Sequence, residues 1–432
     1  MSEPTSTVGP RVAFVTLGCP KNEVDSDRMQ AIVSASDYEL ADQPAEADVV
    51  VVNTCSFIEA ATEESIATIL DLADTGVRVV VAGCMPSRYG ADLAEAMPEA
   101  AALVPVADES RLLEVLDEIT GHRSSRPHAY PTRHAAGPAA YLQISDGCHR
   151  RCSYCTIPFI RGPYRSRSLE SIVEEASSLV ALGARELILI GQDISAWGRD
   201  LDGPEVLADV VDAVASVDGV DRLRLMYVQP DGVTDRLLEV MAAHANVCRY
   251  LDMPLQHASR SVLKAMRRSG DAETYLALIA QIRSALPGAV LRTTFIAGFP
   301  GETRADAAEL LRFVETARFD YVGVFPYSRE DGTEAATMEA QVPRRTALAR
   351  AQRLRDACDR IGAEINAELV DRRVAVLVEG YDAEEQAIFG RTCGQAPDID
   401  GIVYLDAGEP GEIVEALIVD ACGYELTGKV ER

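Results

Sequence analysis

Two patterns of hydrophobic and polar positions alternate along the first part of the chain. Apolar runs rich in β-branched residues cover 11–18, 47–53 and 77–83, and each has the length of a buried strand. Helical patterns such as 56–73 lie between them. Strands that alternate with helices predict a parallel sheet covered by helices. We therefore predict a doubly wound N-terminal domain over residues 1–125.

A second alternating segment follows a stretch rich in Pro, Gly, Ser and His, which predicts a linker over 126–140. Helical patterns such as 168–182 and 303–317 then separate successive apolar runs. These runs cover 141–144, 186–190, 222–227, 249–252, 290–296 and 321–325. They predict a partial (β/α)6 barrel over 141–335, with an active site at the C-terminal ends of its strands.

The pattern changes again in the last part of the chain. A long helical pattern predicts a connecting helix over 336–368, and short β-like runs separated by glycine turns predict a small antiparallel β-barrel over 369–432. No apolar run approaches the roughly 18–20 residues that span a bilayer. The first ten residues lack the apolar core of a secretory signal. We expect a soluble cytoplasmic protein that does not enter a membrane.

Charge narrows the choice of partner. The net charge is -27, and the last segment, 369–432, has 14 acidic and 5 basic residues, a difference of -9. Phosphate neutralisation by Lys and Arg supplies most of the affinity for nucleic acid, so we expect no direct DNA binding. A basic protein is a better partner on charge alone. The alternative is that the negative charge serves only to keep the protein soluble.

Three of the ten cysteines, Cys148, Cys152 and Cys155, form the pattern C-x3-C-x2-C. A 4Fe–4S cluster normally takes four cysteines, so three leave one iron open to a small molecule. Tyr154 precedes the last cysteine and would shield the cluster from solvent. The alternative is a zinc site completed by His149 or a distant cysteine, although zinc sites usually pair cysteines as C-x2-C.

Three more cysteines, Cys19, Cys55 and Cys84, each follow one of the predicted N-terminal strands. Ligands collect at the C-terminal ends of parallel strands, so we predict that these thiolates hold a second 4Fe–4S cluster with one open iron. Buried cysteines acting as small hydrophobic residues are the alternative. The remaining cysteines are isolated in sequence, and we interpret them as structural; they are Cys248, Cys358, Cys393 and Cys422.

The cysteine triplet and the motifs that follow it resemble the radical S-adenosylmethionine superfamily. There the open iron binds the amino and carboxylate groups of S-adenosylmethionine, and cleavage of that cofactor releases a 5′-deoxyadenosyl radical. "GQD" after the second barrel strand and "LRTTFIAGFPGET" over 291–303 match later motifs of the superfamily. The resemblance implies these cofactor-binding residues: Tyr154, Gly191, Gln192, Asp193, Thr294 and Gly298.

Over its whole length the chain resembles the methylthiotransferases, which replace a C–H bond by C–S–CH3 and carry a C-terminal TRAM-like barrel. The resemblance implies two 4Fe–4S clusters, two uses of S-adenosylmethionine, as methyl donor and as radical source, and an electron donor such as flavodoxin or ferredoxin. "LGCPKNEVDSD" over 17–27 looks like the members that modify the β-carbon of an aspartate in the small-subunit ribosomal protein uS12. A methylthiotransferase acting on a modified adenosine of transfer RNA is the first alternative. A zinc-stabilised binding protein without catalysis is the second.

Further polar residues are candidates for substrate contact. Gln256 and His257 lie in "MPLQHAS", which matches a family segment at a strand end, and a turn with satisfied polar groups is the alternative. Asp398 and Asp400 lie in the acidic tail, where solvated loop carboxylates are the alternative. The segment "IRGPYRSR", shortly after Cys155, contains three arginines. Arginine suits carboxylates, so these residues are candidates to pair with the cofactor or the substrate, and surface charges are the alternative. The three arginines are Arg161, Arg165 and Arg167.

Overall fold

The protein is described by a computed structural model that covers residues 9–125, 133 and 137–431. Most of the predicted linker, 126–140, lies outside the described residues. The chain forms two compact units. The first comprises Met1–His134, Asp146–His149 and Cys155–Tyr164, and the second comprises Ala135–Ser145, Arg150–Tyr154 and Arg165–Arg432.

The first unit is built on a five-stranded parallel sheet with strand order β2-β1-β3-β4-β5. Its strands are β1 Arg11–Thr16, β2 Glu39–Leu40, β3 Val49–Thr54, β4 Arg78–Gly83 and β5 Ala100–Pro105. Its helices include α1 Pro20–Ser34, α2 Glu59–Asp74, α3 Cys84–Ala96 and α4 Leu112–Thr120.

Strand β3 shows why this sheet is covered on both faces. Val49 and Val51 belong to one hydrophobic core, which includes residues of α1 and α4. Val50 and Val52 belong to a second core, which includes residues of α2 and α3. Successive side chains of a strand point to opposite faces, so a continuous run of valines requires apolar cover on each side. The predicted doubly wound sheet is confirmed.

The second unit contains a six-stranded parallel sheet with strand order β13-β12-β11-β10-β9-β6. From residue 139 onward the strands are β6 Ala139–Gln143, β7 Ser145–Asp146, β8 Arg165–Ser166, β9 Glu186–Ile190, β10 Arg222–Leu225, β11 Val247–Asp252, β12 Val290–Ala297 and β13 Tyr321–Pro326. The helices are α5 Ile157–Ile160, which belongs to the first unit, α6 Leu169–Ala181, α7 Leu207–Ala215, α8 Asp235–Ala243, α9 Arg260–Ala265, α10 Ala272–Ala285, α11 Arg304–Ala317 and α12 Arg344–Ala367. The six predicted β/α units are confirmed. Short 3-10 helices lie at Pro44–Glu46, Val106–Arg111, Ile194–Ala196, Pro230–Gly232 and Ala335–Thr337.

The C-terminal part of the second unit is a closed barrel with strand order β14-β15-β16-β18-β17. Its strands are β14 Arg373–Asp382, β15 Ala387–Thr392, β16 Val403–Leu405, β17 Ile413–Cys422 and β18 Glu425–Val430. The predicted small barrel is confirmed, with one difference. The pair β16–β18 is parallel, whereas the other pairs are antiparallel.

Within residues 9–125, 133 and 137–431, none of the helices is long and apolar enough to cross a membrane.

Candidate active site

The three N-terminal cysteines come together at one edge of the first sheet. Cys19 follows β1, Cys55 follows β3 directly, and Cys84 is the first residue of α3 after β4. These strands are neighbours in the order β1-β3-β4, so their C-terminal ends lie side by side. Cys55 and Cys84 are buried, and Cys19 is partly exposed. The structure therefore brings together the three residues that the sequence separates widely.

Asn22, in the first turn of α1, holds this group in place. Its Nδ2 donates to the carbonyl oxygens of Leu17 and Thr54, at 2.8 and 2.9 Å, and so ties the ends of β1 and β3 together. Its Oδ1 lies 3.8 Å from the sulfur of Cys19 and 3.6 Å from that of Cys84. We call Cys19, Cys55, Cys84 and Asn22 the N-terminal cradle.

Gly18 allows the close approach within this cradle. Its φ is +101°, and a Cβ added there would lie 2.7 Å from the Cβ of Cys55 and 3.1 Å from its sulfur. An L side chain at this position would be strained and would also displace Cys55. The glycine of "LGC" is thus required by the backbone and by the space that Cys55 occupies.

The cradle thiols need a cation to ionise. Burial raises the pKa of Cys84 to about 12, although nearby Arg161 opposes the rise, and burial also raises the pKa of Cys55. A thiolate is the form that binds a metal, and a bound metal removes the proton outright. Among the described residues, no three Cys, His, Asp or Glu side chains converge as the ligands of a single ion do. In a 4Fe–4S cube each thiolate binds a different iron, so the thiols do not need to converge on one point. The three neighbouring thiols of the cradle therefore suit such a cluster.

Arg161 is the cation of this site, although the sequence left its partner open. Its side chain is 2% exposed, and its Nη2 lies 2.6 Å from Asp25 Oδ2 and 3.0 Å from Asn22 Oδ1. The same nitrogen is 3.8 Å from the sulfur of Cys84. Arg161 is therefore a buried partner of the cradle and not a surface charge.

The loop that carries Cys148, Cys152 and Cys155 follows β6, and its residues divide between the two units. In the first unit the amide of Cys148 donates to the carbonyl of Gly162 at 3.4 Å. In the second unit the hydroxyl of Ser153 donates to the carbonyl of Ala265 at 2.7 Å. Hydrogen bonds to backbone carbonyls therefore anchor both parts of the motif loop.

A cavity of about 230 Å3 lies beside Cys152 in the second unit. Arg268 Nη1 is 3.9 Å from the sulfur of Cys152, and its Nη2 donates to Gln229 Oε1 at 2.6 Å. The sequence did not single out Gln229 or Arg268, since an isolated arginine carries no motif. The lining residues are Arg150, Cys152, Gln229, Pro230, Asp231, Arg267, Arg268, Ser269 and Tyr275.

The "GQD" residues lie where they were expected, after the end of β9. A Cβ added at Gly191 would lie 2.5 Å from Ser145 Oγ, so the backbone passes close to the end of β6. The Asp193 carboxylate is buried and paired with Arg150 and with the hydroxyl of Ser195. Protein partners thus occupy the Asp193 carboxylate, and Gly191 and Gln192 remain the stronger candidates for cofactor contact.

The β12 motif places its residues in different environments. Thr294 is partly exposed, and its carbonyl accepts the amide of Gln256 at 2.8 Å, so these two predicted residues are neighbours. Gly298 has a φ of +80°, and a Cβ there would lie 2.2 Å from the Cβ of Ala347 in α12. Helix packing therefore accounts for the missing side chain of Gly298. Tyr154 packs edge-on against Phe299, with ring centroids 6.4 Å apart.

His257 lies in the interior of the second unit. Its side chain is fully buried, and its Nδ1 accepts the amide of Ser259 at 2.9 Å. Burial lowers the pKa of His257 to about 4, so the ring is neutral near pH 7. The packing of the turn encloses the ring, which favours the alternative of a structural role in the turn over contact with substrate.

The two predicted aspartates of the C-terminal barrel differ in exposure. Asp398 is exposed, and its carboxylate accepts the hydroxyl of Tyr141 at 3.4 Å. The Asp400 side chain is buried and accepts the hydroxyl of Tyr250 at 2.7 Å, with Arg292 at 3.4 Å. The Asp400 carboxylate holds the C-terminal barrel against β11 and β12, which favours a structural role for this residue. Arg165 is exposed, and Arg167 pairs with Glu175.

Two cysteines that look isolated in sequence are neighbours. The thiol of Cys248, in β11, donates a hydrogen bond to the sulfur of Cys393, which follows β15. This hydrogen bond lowers the pKa of Cys393 to about 6. Arg224 is near both residues, and its Nη1 donates to the carbonyl of Cys393 at 3.0 Å. The two cysteines are therefore isolated in sequence but neighbours in the fold.

Three family models match successive parts of the chain. Residues 11–105 match "Uncharacterized protein family UPF0004", 142–314 match the radical SAM superfamily, and 370–430 match the TRAM domain. A relative in Geobacter sulfurreducens, named ribosomal protein uS12 methylthiotransferase RimO, is 44% identical over 97% of this chain and 98% of its own length. A relative of the same name in Citrifermentans bemidjiense is 43% identical over the whole of both chains.

The chain belongs to the RimO family. Sequence identity of 43–44% over nearly the full length of both chains shows this membership. The predicted methylthiotransferase family is confirmed. As a member of the RimO family, with a radical SAM domain, the chain is an enzyme that uses S-adenosylmethionine and an iron–sulfur cluster.

Solved radical SAM enzymes share the fold of this RimO family member. The radical S-adenosylmethionine methyltransferase TsrM from Kitasatospora setae is 18% identical, with a TM-score of 0.54, over 73% of both chains. The cobalamin-dependent S-adenosylmethionine radical enzyme OxsB is 14% identical, with a TM-score of 0.52, over 81% of this chain and 56% of its own. At this identity the similarity shows the fold alone.

Proposed function

We propose that this enzyme inserts a methylthio group at the β-carbon of an aspartate in ribosomal protein uS12. The observation that carries the proposal is the full-length identity of 41–44% to relatives named for this activity. The N-terminal cradle supports it, because sulfur insertion needs a site for sulfur in addition to the site of radical formation.

Two sets of thiols would hold two 4Fe–4S clusters. Cys148, Cys152 and Cys155 would hold the cluster at which S-adenosylmethionine binds, and the N-terminal cradle would hold an auxiliary one. When bound, these groups supply electron transfer to the cofactor and a place for sulfur. The protein's part is to keep three thiols near each cluster and to leave the fourth position open.

S-adenosylmethionine would bind at the C-terminal ends of the barrel strands. Gly191 and Gln192 follow β9, and Thr294 lies beside Gln256 near the end of β12. Tyr154 would cover the cluster on the side of Phe299. No residue needs to act as acid or base, because removal of a hydrogen atom by a radical transfers no proton to the protein.

Charge supports a basic protein as the substrate. The C-terminal segment 369–432 has a net charge of -9 from its acidic and basic residues. A TRAM barrel that binds transfer RNA would instead need positive charge. Asp398 is the exposed carboxylate we propose for contact with uS12, since Asp400 is buried. A flavodoxin or ferredoxin would supply the electrons.

Mass spectrometry of two substrates tests the proposal. The anaerobically reconstituted enzyme, S-adenosylmethionine and dithionite are incubated with uS12 and, separately, with transfer RNA. We expect the mass gain of one methylthio group on one aspartate of uS12. A gain on transfer RNA alone would contradict the choice of substrate, and a colourless zinc protein without iron would contradict the enzyme.

Cysteine variants separate the two sites in the same assay. Cys152→Ala should abolish formation of 5′-deoxyadenosine, whereas Cys55→Ala should keep it and lose methylthiolation. Cys422→Ala, at an exposed position in the C-terminal barrel, is the matched control and should retain both products. Methylthiolation by Cys55→Ala at the rate of the unmodified enzyme would overturn the role of the cradle.

A further inference from the structure

The guanidinium of Arg161 touches three groups of the N-terminal cradle region at once. Its Nη2 is 2.6 Å from Asp25, 3.0 Å from Asn22 and 3.8 Å from the sulfur of Cys84. Asn22 Oδ1 is in turn within 3.6 to 3.8 Å of two cradle sulfurs. Because Arg161 and Asn22 are both buried, their contacts fix the side of the cradle on which Cys84 lies.

The other terminal nitrogen of Arg161, Nη1, is buried and makes no hydrogen bond to the residues that the structure describes. The carboxylate of Asp146 is 3.7 Å from it. A buried donor left unsatisfied costs about 1–3 kcal/mol. The two terminal nitrogens of a guanidinium are joined through one carbon, so Nη1 is also close to the cradle. An acceptor bound in the cradle would remove this cost.

The charge of Arg161 also suits the site. Its guanidinium is paired with the buried carboxylate of Asp25, 2.6 Å away. Three thiolates bring negative charge into a largely buried place, where a fixed cation is worth more than in water. Arg28 lies 3.9 Å from Asp25 on the outer side of this group, so Arg161 is the guanidinium that reaches the sulfur.

We propose that Arg161 is a positioning residue of the auxiliary site, which orients Cys84 and donates a hydrogen bond to a sulfur anion bound in the cradle. The proposal rests on the proposed function, since it requires a cluster in the cradle. Arg161 lies six residues after Cys155, directly after α5, in the same unit as the cradle.

The test isolates the auxiliary cluster. In the parent variant, Cys148, Cys152 and Cys155 are all replaced by alanine, so only the cradle binds iron. Arg161→Met and Arg161→Lys are added to this parent. Arg111→Met is the matched control, because Arg111 is an arginine of the same unit whose side chain is 62% exposed and pairs with the surface carboxylates of Asp108 and Glu114. The readouts are the midpoint potential in an EPR-monitored redox titration and the affinity for sodium hydrosulfide from the change in the EPR spectrum.

We expect Arg161→Met to disfavour reduction at least tenfold, a fall of about 59 mV for a one-electron couple, because it removes a positive charge beside the cluster. We expect hydrosulfide to bind at least tenfold more weakly. Arg161→Lys should recover part of the potential, since it keeps the charge, but not the affinity, since it loses the planar pair of donors. Arg111→Met should match the parent in both.

Each outcome decides one point. An Arg161→Met cluster with the potential and hydrosulfide affinity of the parent would overturn the inference and leave the proposed function intact. A parent that binds no iron would overturn the proposed function itself. If Arg161→Met folds but holds no cluster, the positioning role is supported and Arg161→Lys tests the donor. Unchanged hydrosulfide affinity in Arg161→Lys would then refute the donor.

Discussion

Glu186, the first residue of β9, is the most enclosed carboxylate of an ion-pair network that joins the parallel sheet to the C-terminal barrel. It is fully buried and lies 2.7 Å from Arg224 and 3.0 Å from Arg391. Burial alone would raise the pKa of Glu186, but these two arginines lower it below its ordinary value. The carboxylate is therefore ionised at neutral pH, and Glu186→Gln removes its charge while keeping its shape.

The expected loss of stability follows from the contacts that the two arginines keep after the substitution. Arg224 keeps its hydrogen bond to the carbonyl of Cys393 and its position 4.6 Å from the ring centroid of Tyr250, but no carboxylate then neutralises it. Arg391 keeps Glu379 at 2.7 Å. Removal of one partner from a buried ion pair costs about 3–5 kcal/mol. Since one arginine keeps a partner, we expect Glu186→Gln to lower the free energy of unfolding by about 3 kcal/mol.

Urea unfolding followed by tryptophan fluorescence measures this loss. Trp197 is the one tryptophan of the chain, and it is buried in the same hydrophobic core as β9. With a slope of about 3 kcal/mol/M, the midpoint should fall by about 1 M. Glu379→Gln is the control, since its side chain is 15% exposed and water can replace it; the expected loss is about 1 kcal/mol. Equal midpoints for Glu186→Gln and the unmodified protein would refute the reasoning.

Three further predictions concern single sites. Burial lowers the pKa of His257 to about 4, against 6.5 unfolded, so the unfolded chain takes up the proton first and stability falls as pH drops from 6.5 toward 4. The loss between pH 7.5 and 5 should be about 2 kcal/mol, and thermal unfolding of His257→Gln should lack it; the same pH slope in both would contradict this. Alkylation of Cys393 by iodoacetamide, followed by peptide mass mapping, should reach half its maximal rate near pH 6. Cys248→Ala should move this midpoint toward pH 9, because the hydrogen bond to Cys393 is lost. An unchanged midpoint in the variant would contradict this. Gly298→Ala should lower the free energy of unfolding by about 1–3 kcal/mol, since its Cβ would meet Ala347 at 2.2 Å at a φ of +80°, and an unchanged melting temperature would contradict this.

The sequence predicted the elements well where one physical pattern dominates. β12 was predicted over 290–296 and covers Val290–Ala297, and its buried positions alternate along the whole strand. The shared strand-end position of Cys19, Cys55 and Cys84 also predicted that they meet. That prediction needs only that their strands be parallel neighbours, and β1, β3 and β4 are.

Residue roles that depend on tertiary burial were not predictable in the same way. Asp400 looks like a loop carboxylate, and only the fold brings Tyr250 and Arg292 to it. Gly298 resembles a cofactor glycine, yet α12 fills the space beside it. Arg161 had no assigned partner, because Asn22 and Asp25 lie more than a hundred residues away in sequence.

Iron and acid-labile sulfide per chain, measured in the anaerobically reconstituted protein and in two triple alanine variants, test the account most directly. We predict about eight of each in the unmodified protein, as two cubanes require, and about four after replacement of either Cys148, Cys152 and Cys155 or Cys19, Cys55 and Cys84. Full iron content in the variant without the three N-terminal cysteines would contradict the account.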